Sequence, residues 1–341
     1  VTATQTGGTL RVPARTTAGT SSAARGWRRY RPATFYGFIA PWLAGFVLLT
    51  LFPLGYALWL STTNYDGMTG RYRYVGLDNY TAIASDPDAL HALARTGLYT
   101  LGTVPLSIAF GLLLAVLLNQ QIRARGAFRA LIYLPAVVPI VGSALCFKML
   151  FNADFGAVNA VIGLVGIPPV DWLSDPGVFV VLVAVTLWGV GASMIISLSG
   201  LQGIPRELQE AARVDGAGAW QVFSKITLPL LSPIILFQVI TGIIGSVQGF
   251  VAPLLLTASS GTASVTSVPQ STYLYMIHVY AQYFAYGRFG YASALLWVLF
   301  VLILLLTVVI FRVSARAVFY ENAPDTPTRR RRTRETPEVT R

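Results

Sequence analysis

A chain of 341 residues with 54% hydrophobic and 11% charged side chains is far more apolar than a soluble domain, in which about 25% of residues carry charge. Its mean hydropathy of +0.61 excludes an ordinary soluble enzyme and points to a polytopic membrane protein that uses lipid as its solvent. The net charge of +11 does not indicate nucleic acid, because the basic residues gather at the two ends of the chain and in connections on one side of the bilayer.

In chain order, residues 1–34 are rich in Thr, Ala and Gly and carry six arginines. They are too polar to bury a core and lack the apolar segment of a signal peptide, so they read as a disordered basic cytosolic tail. Six apolar runs follow: Phe35 to Leu60, Leu93 to Leu118, Phe128 to Leu150, Val178 to Leu198, Leu228 to Thr257 and Tyr291 to Phe311. Each is long enough to cross a bilayer as a helix, which takes about 20 residues. The expected fold is therefore all-α, with six transmembrane helices over residues 35–313. Residues 314–341, with Arg329 to Arg332, form a second basic cytosolic tail. Pro105, Pro135 and Pro139 would kink helices two and three and turn freed carbonyls inward, as helices lining a pathway and plain packing devices both do.

Orientation follows from charge. Twenty of the 25 Lys and Arg residues fall on one side, against Arg71, Arg73, Arg95 and Arg288 on the other, with Lys148 at the outer end of helix three. The positive-inside rule then places both termini, and the long polar segment between helices four and five, in the cytosol. That segment, residues 201–229, reads as two short helices joined by a turn. Pro205 suits a first helical position, Glu207 and Glu210 sit in the early turns, and Asp215-Gly216 ends the helix, with Gly216 free to adopt a left-handed conformation. The outer connections, 64–92 and 152–177, combine acidic and aromatic residues, as suits either a docking face or a solvated connector.

Catalytic chemistry is not legible. The sequence has no phosphate-binding Gly-x-x-x-x-Gly-Lys-Ser/Thr loop, no Gly-x-Ser-x-Gly elbow and no metal-ligand spacing, and Cys146 stands alone. All fourteen carboxylates lie outside the six runs. An ion-coupled carrier usually keeps an ionisable group within its bundle, so the energy for any transport must come from a partner.

The residues Glu210-Ala211-Ala212, Asp215-Gly216-Ala217, Phe223, Ile226, Leu228-Pro229 and Pro233 resemble the Glu-Ala-Ala signature of ABC-importer membrane subunits. Val75 to Tyr80, Leu117-Leu118-Asn119, Leu134-Pro135, Phe147-Lys148 and Leu150-Phe151-Asn152 extend the likeness. Together with Ala40-Pro41-Trp42 and Leu51-Phe52-Pro53 they are similar to the carbohydrate permeases of the maltose and oligosaccharide type. The resemblance implies a subunit of the bacterial inner membrane that is not itself an enzyme. It also implies a heterodimer with a sister permease, a cytosolic ABC ATPase dimer that binds the ATP and Mg, an extracytoplasmic solute-binding protein, and membrane lipid around the bundle. This chain is expected to bind no cofactor, metal or nucleic acid. Coupling to the ATPase is implied for Glu207, Glu210, Ala211, Ala212, Asp215, Gly216 and Ala217.

For the solute, polar and aromatic residues inside helices four and five are the candidates. Sugars present hydroxyls to amides and C–H faces to aromatic rings, so Gln248 with Trp188 and Phe250 suits them, while Thr241 and Ser246 equally suit hydrogen bonds between helices. The resemblance places Trp188, Gly189, Thr241, Gly245, Gln248 and Phe250 near sugar-contacting positions, with Gly245 where the family has an amide. The expected function is ATP-driven sugar import by alternating access. An importer of another solute such as glycerol phosphate, an ion-coupled carrier and a membrane-bound sensor are the rivals.

Overall fold

The computed structural model describes residues 32–70, 72–257, 265 and 268–314. The two predicted basic tails lie outside these residues, except that Pro32 to Thr34 and Ser314 are already helical. Two units are distinguished, Val1–Gly55 and Tyr56–Arg341. The first holds α1 (Pro32–Phe46), a π-helical turn at Val47–Leu51 and the start of α2 (Phe52–Ser61). The π turn has a cause in the sequence. Pro53 has no N–H to return to the preceding turn, and the ladder widens so that the Phe52 N–H donates to the Val47 carbonyl. The same device recurs before Pro229, where Phe223–Thr227 is π-helical and the Leu228 N–H donates to the Phe223 carbonyl.

The second unit continues with α3 (Asp78–Ser85), α4 (Pro87–Asn119), α5 (Arg125–Val137), α6 (Ile140–Leu150), α7 (Ala157–Gly163), α8 (Gly177–Trp188) and α9 (Gly191–Gly203). It goes on through α10 (Arg206–Val214), α11 (Ala219–Val222), α12 (Leu228–Leu230), α13 (Ser232–Val247), α14 (Val251–Thr257), α15 (Tyr275–Phe284) and α16 (Phe289–Ser314). Thr34–Ser61, Pro87–Asn119 and Phe289–Ser314 are each long and apolar enough to cross a membrane. Three bent pairs meet the same test when taken together: α5 with α6 at 94°, α8 with α9 at 41°, and Ala219–Leu230 with α13 at 63°. Leu98, Leu101, Leu113, Leu131, Leu304 and Phe311 leave large apolar side chains exposed on these helices, a surface that needs lipid or another subunit to cover it.

Each bend has a local origin. Val138 precedes Pro139 and is extended (φ −68°, ψ 129°), as the proline ring requires of the residue before it. Gly189 closes α8 and Gly191 opens α9. The fifth run, expected as one helix from Leu228 to Thr257, is instead broken twice. Pro233 sits in the first turn of α13, where its missing N–H costs nothing, and Gln248-Gly249-Phe250 separates α13 from α14.

Helix α9 is packed most closely. A Cβ on Gly191 would run into the Ile132 carbonyl and would lie 2.7 Å from the Tyr133 Cα of α5, and one on Gly111 of α4 would meet Ser193. Such small residues let helices approach where lipid offers no hydrophobic drive. Gln238 of α13, 5% exposed, fastens the same helix. Its Oε1 accepts from the Ser193 hydroxyl at 2.5 Å and its Nε2 donates to Ser197 Oγ at 2.9 Å.

The expected outer segments are ordered by polar hubs, of which Asn159 and His278 are buried. The Asn79 side-chain amide donates to the Ser61 and Thr63 carbonyls, and Asn159 bonds Ala153, Val170 and the Trp172 indole. Asp175 accepts from the Gln270 and Ser271 backbone amides. Asp86 caps α4 through the Asp88 and Ala89 amides and accepts from the Tyr291 hydroxyl at 2.6 Å. His278 Nε2 lies 3.6 Å from the same carboxylate, with the Tyr273 hydroxyl 3.3 Å from its Nδ1. Burial acts to raise the Asp86 carboxyl, but the Tyr291 hydroxyl, the Ala89 and Asp88 amides and His278 outweigh it and hold it below its ordinary value. Burial pushes the His278 imidazole down, against the pull of Asp86 and Asp88.

Both shifts act in the same direction on stability. A His whose folded value lies below its unfolded one is held neutral, so stability falls as pH drops through the unfolded value of about 6.5; the Asp86 contribution is lost only nearer pH 4 and below. Thermal unfolding of the purified protein in detergent should therefore show a melting temperature that declines from pH 7.5 to pH 5.5. His278→Gln should flatten that decline, and an unchanged slope in the variant would show that His278 is not its source.

Candidate functional site

Two features stand apart from ordinary packing. The first is the polar segment after α9. Pro205 occupies the N-cap of α10 rather than the first helical position, with an extended ψ of 131°. At the other end Gly216 is left-handed (φ +85°). The Gly216 N–H donates to the Arg213 carbonyl and the Ala217 N–H to the Ala212 carbonyl, at 3.1 and 2.9 Å. This is the paired closure of a Schellman turn. The Gly218 N–H then donates to Gln221 Oε1 at 2.9 Å, opening α11. Ala212, Asp215, Gly216 and Ala217 line a crevice with Gln221, Lys225 and Ile226. Glu207, Glu210 and Ala211 lie on α10, exposed and outside that crevice. Among the described residues the Glu210 carboxylate has no hydrogen bond or ion pair, so it does not brace the segment from within. Val214 and Trp220 are 87% and 75% exposed on this otherwise polar platform.

The second feature is a cavity of about 650 Å³, within the range of about 300–1,000 Å³ usual for small-molecule sites. It lies where three helix interruptions meet. Pro135, Ala136, Val138 and Ile140 flank the α5–α6 break, Trp188 and Gly189 the α8–α9 break, and Gln248, Gly249 and Phe250 the α13–α14 break. The intact helix α4 supplies the remaining wall through Tyr99, Thr103 and Ser107, which share one helical face by their four-residue spacing. Each aromatic ring at the cavity is held from behind. Trp188, 38% exposed, packs on Phe147 with ring centres 5.5 Å apart, and Phe250 stacks on Tyr280 at 5.8 Å.

Most hydroxyls of the wall are already engaged. Tyr99 and Thr186 bond one another at 2.7 Å, Thr103 returns its hydroxyl to the Tyr99 carbonyl, and Ser246 bonds Thr100. Among the described residues the Gln248 amide and the Ser107 hydroxyl have no hydrogen-bond partner, and Gln248 is exposed to the cavity. Of the residues singled out for solute contact, Trp188, Gly189, Gly245, Gln248 and Phe250 come together here. Thr241 does not. It is exposed outside the lining, with its hydroxyl donating to the Phe237 carbonyl of its own helix. Pro135 and Pro139, expected to kink helix three, mark the α5–α6 break, with Pro135 in the lining; the wall residues of α4 were not among the candidates. The spacing of Tyr99, Thr103 and Ser107 was the available signal.

Comparison with known proteins agrees with this architecture. Residues 107–319 match the family described as the binding-protein-dependent transport system inner membrane component. The chain is 36% identical over 291 residues to the probable ABC transporter permease protein YesP of Bacillus subtilis, covering 84% of this chain and 92% of that protein. It is 32% identical over 286 residues to the lactose transport system permease protein LacF of Rhizobium radiobacter, covering 82% and 93%. Among solved structures, a chain of a bacterial alginate ABC transporter in complex with an alginate pentasaccharide-bound periplasmic protein has a TM-score of 0.74 at 21% identity, covering 84% and 95%. At that identity the likeness is one of fold.

The glycines of the site separate structural from cavity roles. A Cβ on Gly245 would meet nothing within 4 Å, whereas one on Gly191 would strike the α5 backbone. Gly245→Leu should change thermal stability in detergent by less than about 0.5 kcal/mol, whereas Gly191→Ala should cost about 1–3 kcal/mol as an overpacked contact. Equal loss in the two variants would contradict the assigned positions.

Proposed function

This chain belongs to the family of binding-protein-dependent transport system inner membrane components, and from that premise we propose that it is the permease subunit of an ATP-driven sugar importer. The observation that carries the reading is the convergence of three interrupted helices on one cavity. Irregular backbone is tolerated at membrane depth only where protein or a cavity covers it, and a site at such breaks suits a solute that crosses by alternating exposure to the two sides. Sugar permeases among the relatives, including the lactose system, support the solute class. Trp188 and Phe250 offer faces for sugar C–H groups and Gln248 offers both donor and acceptor to hydroxyls.

In this proposal each bent pair is one span, giving six transmembrane helices with both termini cytosolic. The bias of Lys and Arg supports that orientation. The segment α10–α12 faces an ATPase dimer, which holds the ATP and Mg. A sister permease completes the membrane unit, and an extracytoplasmic solute-binding protein delivers sugar to the outer segments. Exposed Val214 and Trp220 with the unengaged Glu210 form the platform an ATPase would cover.

Gly216 offers the sharpest test, because its φ of +85° costs a side-chain-bearing residue about 1–2 kcal/mol and a β-branched one more. In complexes reconstituted with the ATPase and loaded binding protein, Gly216→Val should lower substrate-stimulated ATP hydrolysis about tenfold or more. Membrane insertion and sugar binding by the external protein should be unchanged. Full stimulation in the variant would remove this segment from the coupling path.

A further inference from the structure

Among the described residues, those lining the cavity include no Asp, Glu, Lys, Arg or His. We infer that the site takes an electrically neutral solute, an uncharged oligosaccharide, and rejects uronates and sugar phosphates; the inference rests on the sugar-import reading and narrows it.

A carboxylate or phosphoryl group that leaves water for a partly enclosed site needs a cation or several convergent donors to replace its hydration. This wall supplies neither. Its hydroxyls from Tyr99, Thr103, Thr186 and Ser246 are engaged with neighbouring side chains or backbone carbonyls. The Ser107 hydroxyl, the Gln248 amide and the Trp188 indole N–H remain; all are neutral, and the first two both donate and accept, as sugar hydroxyls do. An anion accepts only, so it would use the amide NH2 of Gln248 and be repelled by the adjacent oxygen. Arg95, Arg129 and Lys148 on the lining helices stand four residues before Tyr99, six before Pro135 and five after Ser143. At 1.5 Å of rise per residue they sit about 6–9 Å along the axis beyond the wall. None of the three lines the cavity, and Arg95 turns back to His91, its Nε 3.3 Å from the ring nitrogen. Charge is thus kept beyond the wall, and the interior selects by hydroxyl pattern and ring stacking.

Saturation-transfer NMR on the purified complex, without the external binding protein, reads the site directly. The probes are lactose, maltotriose and trigalacturonate at equal millimolar concentration. Lactose or maltotriose should receive saturation, and Gln248→Leu should abolish most of it. Gly245→Leu, whose side chain enters open space, gives a second blocking variant if the first does not fold. Trigalacturonate should receive at least about tenfold less, and Gly245→Lys should raise its signal. Trigalacturonate transfer that equals that of the neutral sugars and is lost in both blocking variants would overturn the neutrality of the site while leaving the sugar reading intact. Absence of variant-sensitive transfer to any of the three would instead remove the sugar reading.

Discussion

A backbone N–H or carbonyl that faces hydrocarbon without a partner costs several kcal/mol, and the architecture follows from where this chain breaks its helices. The interruptions at Val138-Pro139, Gly189-Val190 and Gln248-Gly249-Phe250 close through turn bonds, such as Val138 N–H to the Pro135 carbonyl and Gly249 N–H to the Ser246 carbonyl. They are brought to one cavity and backed by α4, which stays helical through Pro105. Dispersed breaks would each need a separate protein cover. Gathered together, they make one shaped cavity within an otherwise apolar bundle.

Two of those breaks are tied mechanically to the polar platform. Helix α9 begins just after Gly189 and ends at the platform, and α13 begins just beyond the platform and ends at Gln248. The two helices are fastened by the Ser193–Gln238–Ser197 bonds and by the packing of Gly200 against Leu231 and Ile234. These contacts hold α9 and α13 together between the platform and the residues Gly189 and Gln248. Asp86 joins the start of α4 to His278 of α15 and Tyr291 of α16.

Much of this was legible in the sequence. Apolar length marks the membrane-spanning regions, Gly216 signals its left-handed turn, and the amide of Gln248 with the rings of Trp188 and Phe250 suits a sugar by side-chain chemistry alone, and all three line the cavity. The rest depended on tertiary facts. A helix-period pattern puts Thr241 and Gly245 on one face and does not reveal that the cavity ends between them, with Gly245 in the lining and Thr241 exposed outside it. Nor does composition distinguish a proline that α4 accommodates, Pro105, from one that turns α5 into α6 by 94° at Pro139. The polar hubs at Asp86 and Asn159 join residues far apart in the chain, and no local pattern predicts such pairs.

The central claim is that the cavity at the three breaks is the translocation site and opens to each side in turn. Its most direct test places a single cysteine at Gly245 in a Cys146→Ser background and measures labelling by impermeant thiol reagents applied from either face of reconstituted membranes. The account predicts that the cysteine reacts from one face at rest and from the opposite face when the ATPase is trapped with ATP and vanadate. Labelling that keeps the same sidedness in both conditions, or that fails from both faces, would contradict it.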